Sequence, residues 1–108
     1  MVKPFEVDTT DSFHTEVLEE PSRPVVVYFW SATCPTCSRM TPEVEAAAES
    51  SEGIKFVKAA APELLELFNE YRVRATPSLV LCSKGQEVAR QEGFKTAAEI
   101  IGWVNEHV

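Results

Sequence analysis

Cys34-Pro35-Thr36-Cys37 places two thiols three residues apart, just after the apolar run Val25-Val26-Val27-Tyr28-Phe29-Trp30. A helical pattern starts at the first cysteine. The N-terminus of a helix carries partial positive charge and unpaired N–H groups. Such a position favours a thiolate on Cys34, and the thiolate is the reactive form of the side chain. Cys37 falls one turn further along the same face, within reach of a mixed disulfide held on Cys34. The pair can therefore pass two electrons by thiol–disulfide exchange and needs no bound cofactor. The competing use of two close cysteines is half of a zinc site. Zinc takes about four ligands. Only Cys82, His14 and His107 remain as candidates, and none forms a second close pair, so the redox reading is preferred and no metal is expected.

With 108 residues the chain is expected to form one domain with its own core. The net charge is −7 and there is no basic cluster. Nucleic acid and anionic membrane are poor partners for such a surface. No long apolar stretch follows Met1, so neither a signal peptide nor a membrane span is expected. Three cysteines do not make a disulfide framework, and a close pair in a reducing cytosol reads as redox-active. The expectation is a cytoplasmic monomer.

The elements that must position the pair follow from periodicity. Residues 4–7 read as a short strand. Phe13, Val17 and Leu18 make one stripe of a helix over 10–19, ended by Pro21. The unbroken apolar run of 24–30 predicts a strand buried on both faces. The next helix runs from Cys34 to about Ser51, with Met40, Val44 and Ala47 continuing the face of Cys37. Pro42 inside it predicts a kink. Ile54 to Lys58 alternates as a second core strand. Pro62 opens a third helix that buries Leu64, Leu65, Leu67, Phe68 and Tyr71. Ser78 to Cys82 is an apolar strand, Lys84-Gly85 a turn, and Glu87 to Gln91 a polar edge strand. Thr96 and Glu99 fit a capping box opening a last helix, with Ile100, Ile101 and Val104 inward. The order β-α-β-α-β-α-β-β-α predicts an α/β fold. Its strand–helix–strand part implies parallel pairing through right-handed crossovers, and the final hairpin is antiparallel.

This pattern resembles the thioredoxin family over nearly the whole chain. The match rests on Phe29-Trp30-Ser31-Ala32 before the cysteines, Pro42 after them, Thr76-Pro77, Lys84-Gly85 and Gly93. The resemblance implies a central mixed β-sheet with helices on both faces. It implies that Pro77 is a cis-proline facing Cys34 and Cys37 across a shallow groove that Gly93 also lines. Thr76 would then offer its backbone to an extended substrate. It further implies disulfide-containing protein substrates and a thioredoxin-reductase-like electron donor that recycles the pair.

Four positions depart from the family pattern. Thr33 stands where Trp is usual, Pro35-Thr36 replaces Gly-Pro, Tyr28 replaces a buried acid, and polar Thr76 precedes the proline. Together they suggest a protein disulfide reductase with a restricted partner set. Either hydroxyl, of Thr33 or Thr36, can donate to a Cys34 thiolate, or both can be ordinary helix-start residues. Tyr28 reads as a core aromatic or as a phenol reaching Cys37 directly or through water; its ordinary pKa of about 10 makes it a poor base. Lys58, the lysine beside the missing acid, either bonds Tyr28 or reaches solvent, and solvent is preferred. Cys82 reads as a buried inert thiol. His14, His107 and the acids Glu43, Glu45, Glu49 and Glu52 read as solvated. The rival readings are a disulfide oxidase or isomerase, a binding module without turnover, and a metal or iron–sulfur carrier.

Overall fold

The computed structural model describes residues 5–6, 13–18, 23–51 and 53–108. In chain order it contains β1 (Phe5–Glu6), α1 (His14–Leu18, wound as a π-helix), β2 (Val25–Ser31), α2 (Pro35–Ser50) and β3 (Lys55–Ala61). These are followed by α3 (Leu65–Glu70), β4 (Ser78–Ser83), β5 (Gln86–Glu92) and α4 (Ala97–His107). The expected strand at 4–7 and helix at 10–19 are thus seen at 5–6 and 13–18, and their remaining residues lie outside the described ones.

Among the described residues, five strands form one mixed sheet in the order β1-β3-β2-β4-β5. β2 is central and apolar on both faces, because side chains alternate along a strand. Val25, Val27 and Phe29 pack with Phe13, just before α1, Val17 of α1, and Leu67 and Phe68 of α3. Val26 and Tyr28 pack on the other face with Met40, Val44 and Ala47 of α2 and Ile100 and Val104 of α4. Helices therefore cover both faces, as expected for this fold class.

Parallel pairing holds for β1 with β3 and for β2 with β3. It does not extend to β4, which runs antiparallel to β2. After β3 ends at Ala61, the chain passes through α3 and re-enters the sheet at the end it left, with Ser78 opposite Phe29. This delivers Thr76 and Pro77 to the same sheet end as Cys34.

Other differences are local. Helix α3 opens at Leu65, not at Pro62, which follows a cis peptide bond in the preceding turn. Leu65 is 53% exposed and Tyr71 half-buried against Phe13. Lys55, at an alternating polar position, is buried and ion-paired to Glu16 at 2.7 Å. Ile101 is only partly buried, and Trp103 takes the inward place beside Ile100 and Val104. Edge strand β5 and the Thr96–Glu99 capping box are as expected.

Candidate active site

α2 starts where β2 ends, at the C-terminal edge of the sheet. Ser31 closes β2, and the Cys34 N–H donates to the Ser31 carbonyl at 3.2 Å, turning the chain into the helix. Cys34 is the N-cap of α2 and has an extended backbone (φ −95°, ψ 111°). Its sulfur takes the place usually held by a Ser, Thr or Asp oxygen. The Cys37 N–H donates to Cys34 Sγ at 3.1 Å. Pro35 occupies the first turn, where its missing N–H leaves no bond unmade.

Cys34 and Cys37 are joined as a disulfide, with Cα atoms 5.2 Å apart. The two sulfurs differ in access. Cys34 is partly exposed and Cys37 is 1% exposed. Opposite them lies the turn before β4. The Thr76–Pro77 bond is cis, and Cys34 Sγ is 3.5 Å from the Thr76 carbonyl oxygen. The Gly93 N–H donates to the Pro77 carbonyl at 2.9 Å, tying the end of β5 to that turn. Gly93 has φ +91°, a conformation that suits glycine. A recess of about 290 Å³ opens beside Thr76, lined by Ser31, Ala61, Leu65, Phe68 and Arg74 among others. Cys34, Pro35, Thr36, Thr76, Pro77 and Gly93 are thus grouped at one end of the sheet.

The hydroxyls of Thr33 and Thr36 stand as follows in the bridged pair. Thr33 Oγ1 lies 3.0 Å from Ser31 Oγ, and among the described residues neither Thr33 nor Thr36 bonds Cys34 Sγ. The polar partner of that sulfur is the Cys37 N–H. Ser31 supports the turn further by accepting from the Thr33 N–H at 3.3 Å.

Beneath the pair, Tyr28 is fully buried on the β2 face that meets α2. Its hydroxyl donates to the Cys37 carbonyl at 3.1 Å and is 3.0 Å from Thr41 Oγ1. The Thr41 hydroxyl donates to the same carbonyl at 2.9 Å. Tyr28 therefore reaches the backbone of Cys37 rather than its sulfur. Burial pushes the phenol above its ordinary pKa, so it stays neutral at physiological pH. Lys58 pairs with Tyr28 in the β2–β3 register, is partly buried, and holds Nζ 5.6 Å from the Trp30 ring centroid. Trp30 Nε1 is buried and has no hydrogen-bond partner among the described residues.

Cys82 lies 1% exposed in β4, away from the pair on the α1–α3 face. Burial pushes its thiol up to about 11. Glu43 departs from the solvated reading, because its carboxylate accepts from the Ala97 N–H at 2.9 Å where α4 begins. Glu52 lies outside the described residues. Among the described residues, no three His, Cys, Asp or Glu form a cluster able to hold a metal ion. None of the described helices is long and apolar enough to cross a membrane. Thr41 and Ser31 were the contributors that sequence reasoning missed. Thr41 had a signal, since it lies four residues after Cys37, where a hydroxyl back-bonds to a helical carbonyl.

The family model for thioredoxin matches residues 4–106. The chain belongs to the thioredoxin family. It is 30% identical over 101 residues to the thioredoxin of Rickettsia bellii, covering 93% of this chain and 95% of that protein. It is 32% identical over 82 residues to the thioredoxin of Mycoplasma pneumoniae, covering 76% and 80%. Among solved structures, a thioredoxin of Nicotiana alata superposes with a TM-score of 0.89 at 24% identity, covering 98% of this chain and 93% of that one. That likeness supports the fold. Family membership and a bridged Cys-x-x-Cys at a helix N-terminus together point to thiol–disulfide oxidoreductase chemistry.

Proposed function

We propose that this chain is a cytoplasmic, monomeric, single-domain protein disulfide reductase with a restricted set of partners. The reading rests on one observation above others: Cys34 is the accessible sulfur at the N-cap of α2, and Cys37 is the buried one behind it. In the reduced protein the Cys34 thiolate attacks one sulfur of a substrate disulfide. A Cys34–substrate disulfide forms and the other substrate sulfur leaves as a thiolate. Cys37, once deprotonated, attacks Cys34 Sγ. The second substrate sulfur leaves, Cys34–Cys37 is oxidised, and the substrate has gained two electrons. A flavoenzyme of the thioredoxin-reductase kind returns the pair to the dithiol.

The helix-tip N–H groups favour the Cys34 thiolate, and the Cys37 N–H is already directed at that sulfur. The Thr76 carbonyl beside Pro77 offers an acceptor to the backbone of an extended substrate. Exposed Thr33 supplies little apolar surface to hold a generic partner, which supports selectivity. The test is insulin disulfide reduction driven by dithiothreitol. Wild type should exceed the dithiothreitol background but run slower than a thioredoxin carrying Trp before its first cysteine, and Cys34→Ser should fall to background. Wild type at background would overturn the function. A rate equal to that thioredoxin would overturn the restriction.

A further inference from the structure

Arg39 and Phe94 come from opposite sides of the groove and meet. Arg39 lies two residues past Cys37 on α2 and is exposed. Phe94 directly follows Gly93, whose N–H is bonded to Pro77, and it is 43% exposed. The Arg39 guanidinium carbon stands 5.7 Å from the Phe94 ring centroid. Contact with the ring face holds the side chain in place without using its N–H donors.

Among the described residues those donors are not taken up elsewhere. Among the described residues Arg39 makes no ion pair. Glu43, one turn on along α2, is turned to the Ala97 N–H. Glu92, the acid nearest in sequence to Phe94, sits in β5 opposite Ser78. Arg90 shows the contrast: its guanidinium is engaged by Glu87 and by the Tyr71 carbonyl. A planar cation whose donors are not engaged by any described residue, fixed on an exposed ring beside a redox pair, matches a carboxylate in charge and in geometry. The chain as a whole, at net −7, disfavours acidic partners generally. A local cation therefore reads where on the partner an acid lies.

We propose that Arg39 on Phe94 forms a selective lip of the groove, recognising protein substrates that carry an Asp or Glu side chain next to the reducible cysteine. The proposal builds on the reductase reading above. Neither residue takes part in electron transfer; both set which disulfide is presented to Cys34.

The test uses the full chain, reduced and freed of reductant, with disulfide-bridged peptides that differ only in Glu, Gln or Lys beside one cysteine. Wild type should reduce the Glu peptide about fivefold faster than the Lys peptide at low salt, and the preference should shrink as salt rises. Arg39→Glu should reverse the order. Arg39→Gln should bring the Glu and Lys rates together, and Phe94→Ala should weaken the preference. Equal wild-type rates on all three peptides, or a preference kept in Arg39→Glu, would overturn the lip and leave the reductase reading standing. Failure of wild type to reduce any peptide would overturn the reductase reading and the lip with it.

Discussion

Replacing Tyr28 by Phe separates a supporting role from a proton-transfer role. The hydroxyl is fully buried and donates to the Cys37 carbonyl at 3.1 Å. Thr41 Oγ1 donates to the same oxygen at 2.9 Å, so removing the phenol oxygen leaves neither Thr41 nor the carbonyl unpaired. The cost is then one net hydrogen bond, about 1 kcal/mol, rather than the larger penalty of an orphaned buried group. For a domain of this size that corresponds to a fall in Tm of about 4–8 °C. The bond ends on a backbone carbonyl whose charge does not change on reduction. Burial also raises the phenol's pKa, so it carries no usable base near pH 7. The rate of insulin reduction in Tyr28→Phe should therefore stay within about twofold of wild type, with the same pH profile. Calorimetry and the dithiothreitol-coupled turbidity assay measure both quantities. A rate at least tenfold lower with a shifted pH profile would show that Tyr28 moves the Cys37 proton. An unchanged Tm would show that the bond contributes nothing to stability.

Three other outcomes are expected. The potential of the Cys34–Cys37 couple should lie above the value of about −270 mV for thioredoxin, because Tyr28 rather than a carboxylate reaches Cys37 from β2 and an N–H is directed at Cys34 Sγ. Thr36→Val should leave it unchanged, since that hydroxyl is not on the sulfur; a titration against glutathione buffers checks both. Cys82 holds its proton to about pH 11 in the folded protein against 9.0 for an ordinary thiol. The unfolded chain therefore releases this proton first, and stability is full below pH 9 and declines toward 11, by at most about 2.7 kcal/mol for two units. Cys82→Ala should flatten that alkaline decline in urea melts taken across pH 8–11, and an equally steep decline would exclude the thiol as its cause. Thr33→Trp should raise insulin turnover several-fold by restoring an apolar groove wall, and no increase would show that Thr33 does not limit partners.

Much of the architecture was legible because burial imposes a period. β2 could be read from six consecutive apolar residues, and α2 from Cys37, Met40, Val44 and Ala47 on one face. The cysteine pair was legible because its chemistry depends on local spacing at a helix tip. What escaped depends on contacts between distant segments. The antiparallel entry of β4 rests on Ser78 to Cys82 pairing with Phe29 to Val25, segments about fifty residues apart in sequence. Burial of Lys55 needs Glu16 brought across from α1. The Glu43 bond to Ala97 needs α2 and α4 side by side. Of the two readings of Thr36, no bond to Cys34 Sγ is seen in the bridged pair among the described residues, where the Cys37 N–H is directed at that sulfur. Leu65 was assigned inward by hydrophobicity alone, but α3 begins three residues later than Pro62 suggested and turns that side chain outward.

The central claim is that Cys34 receives the substrate and Cys37 releases it. Single-cysteine trapping tests it most directly: Cys37→Ser and Cys34→Ser, each reduced, are mixed with a disulfide-containing protein, and covalent adducts are mapped by mass spectrometry. The account predicts abundant adducts through Cys34 in Cys37→Ser and few through 1%-exposed Cys37 in Cys34→Ser. Equal trapping by the two variants, or adducts carried by Cys37, would contradict it.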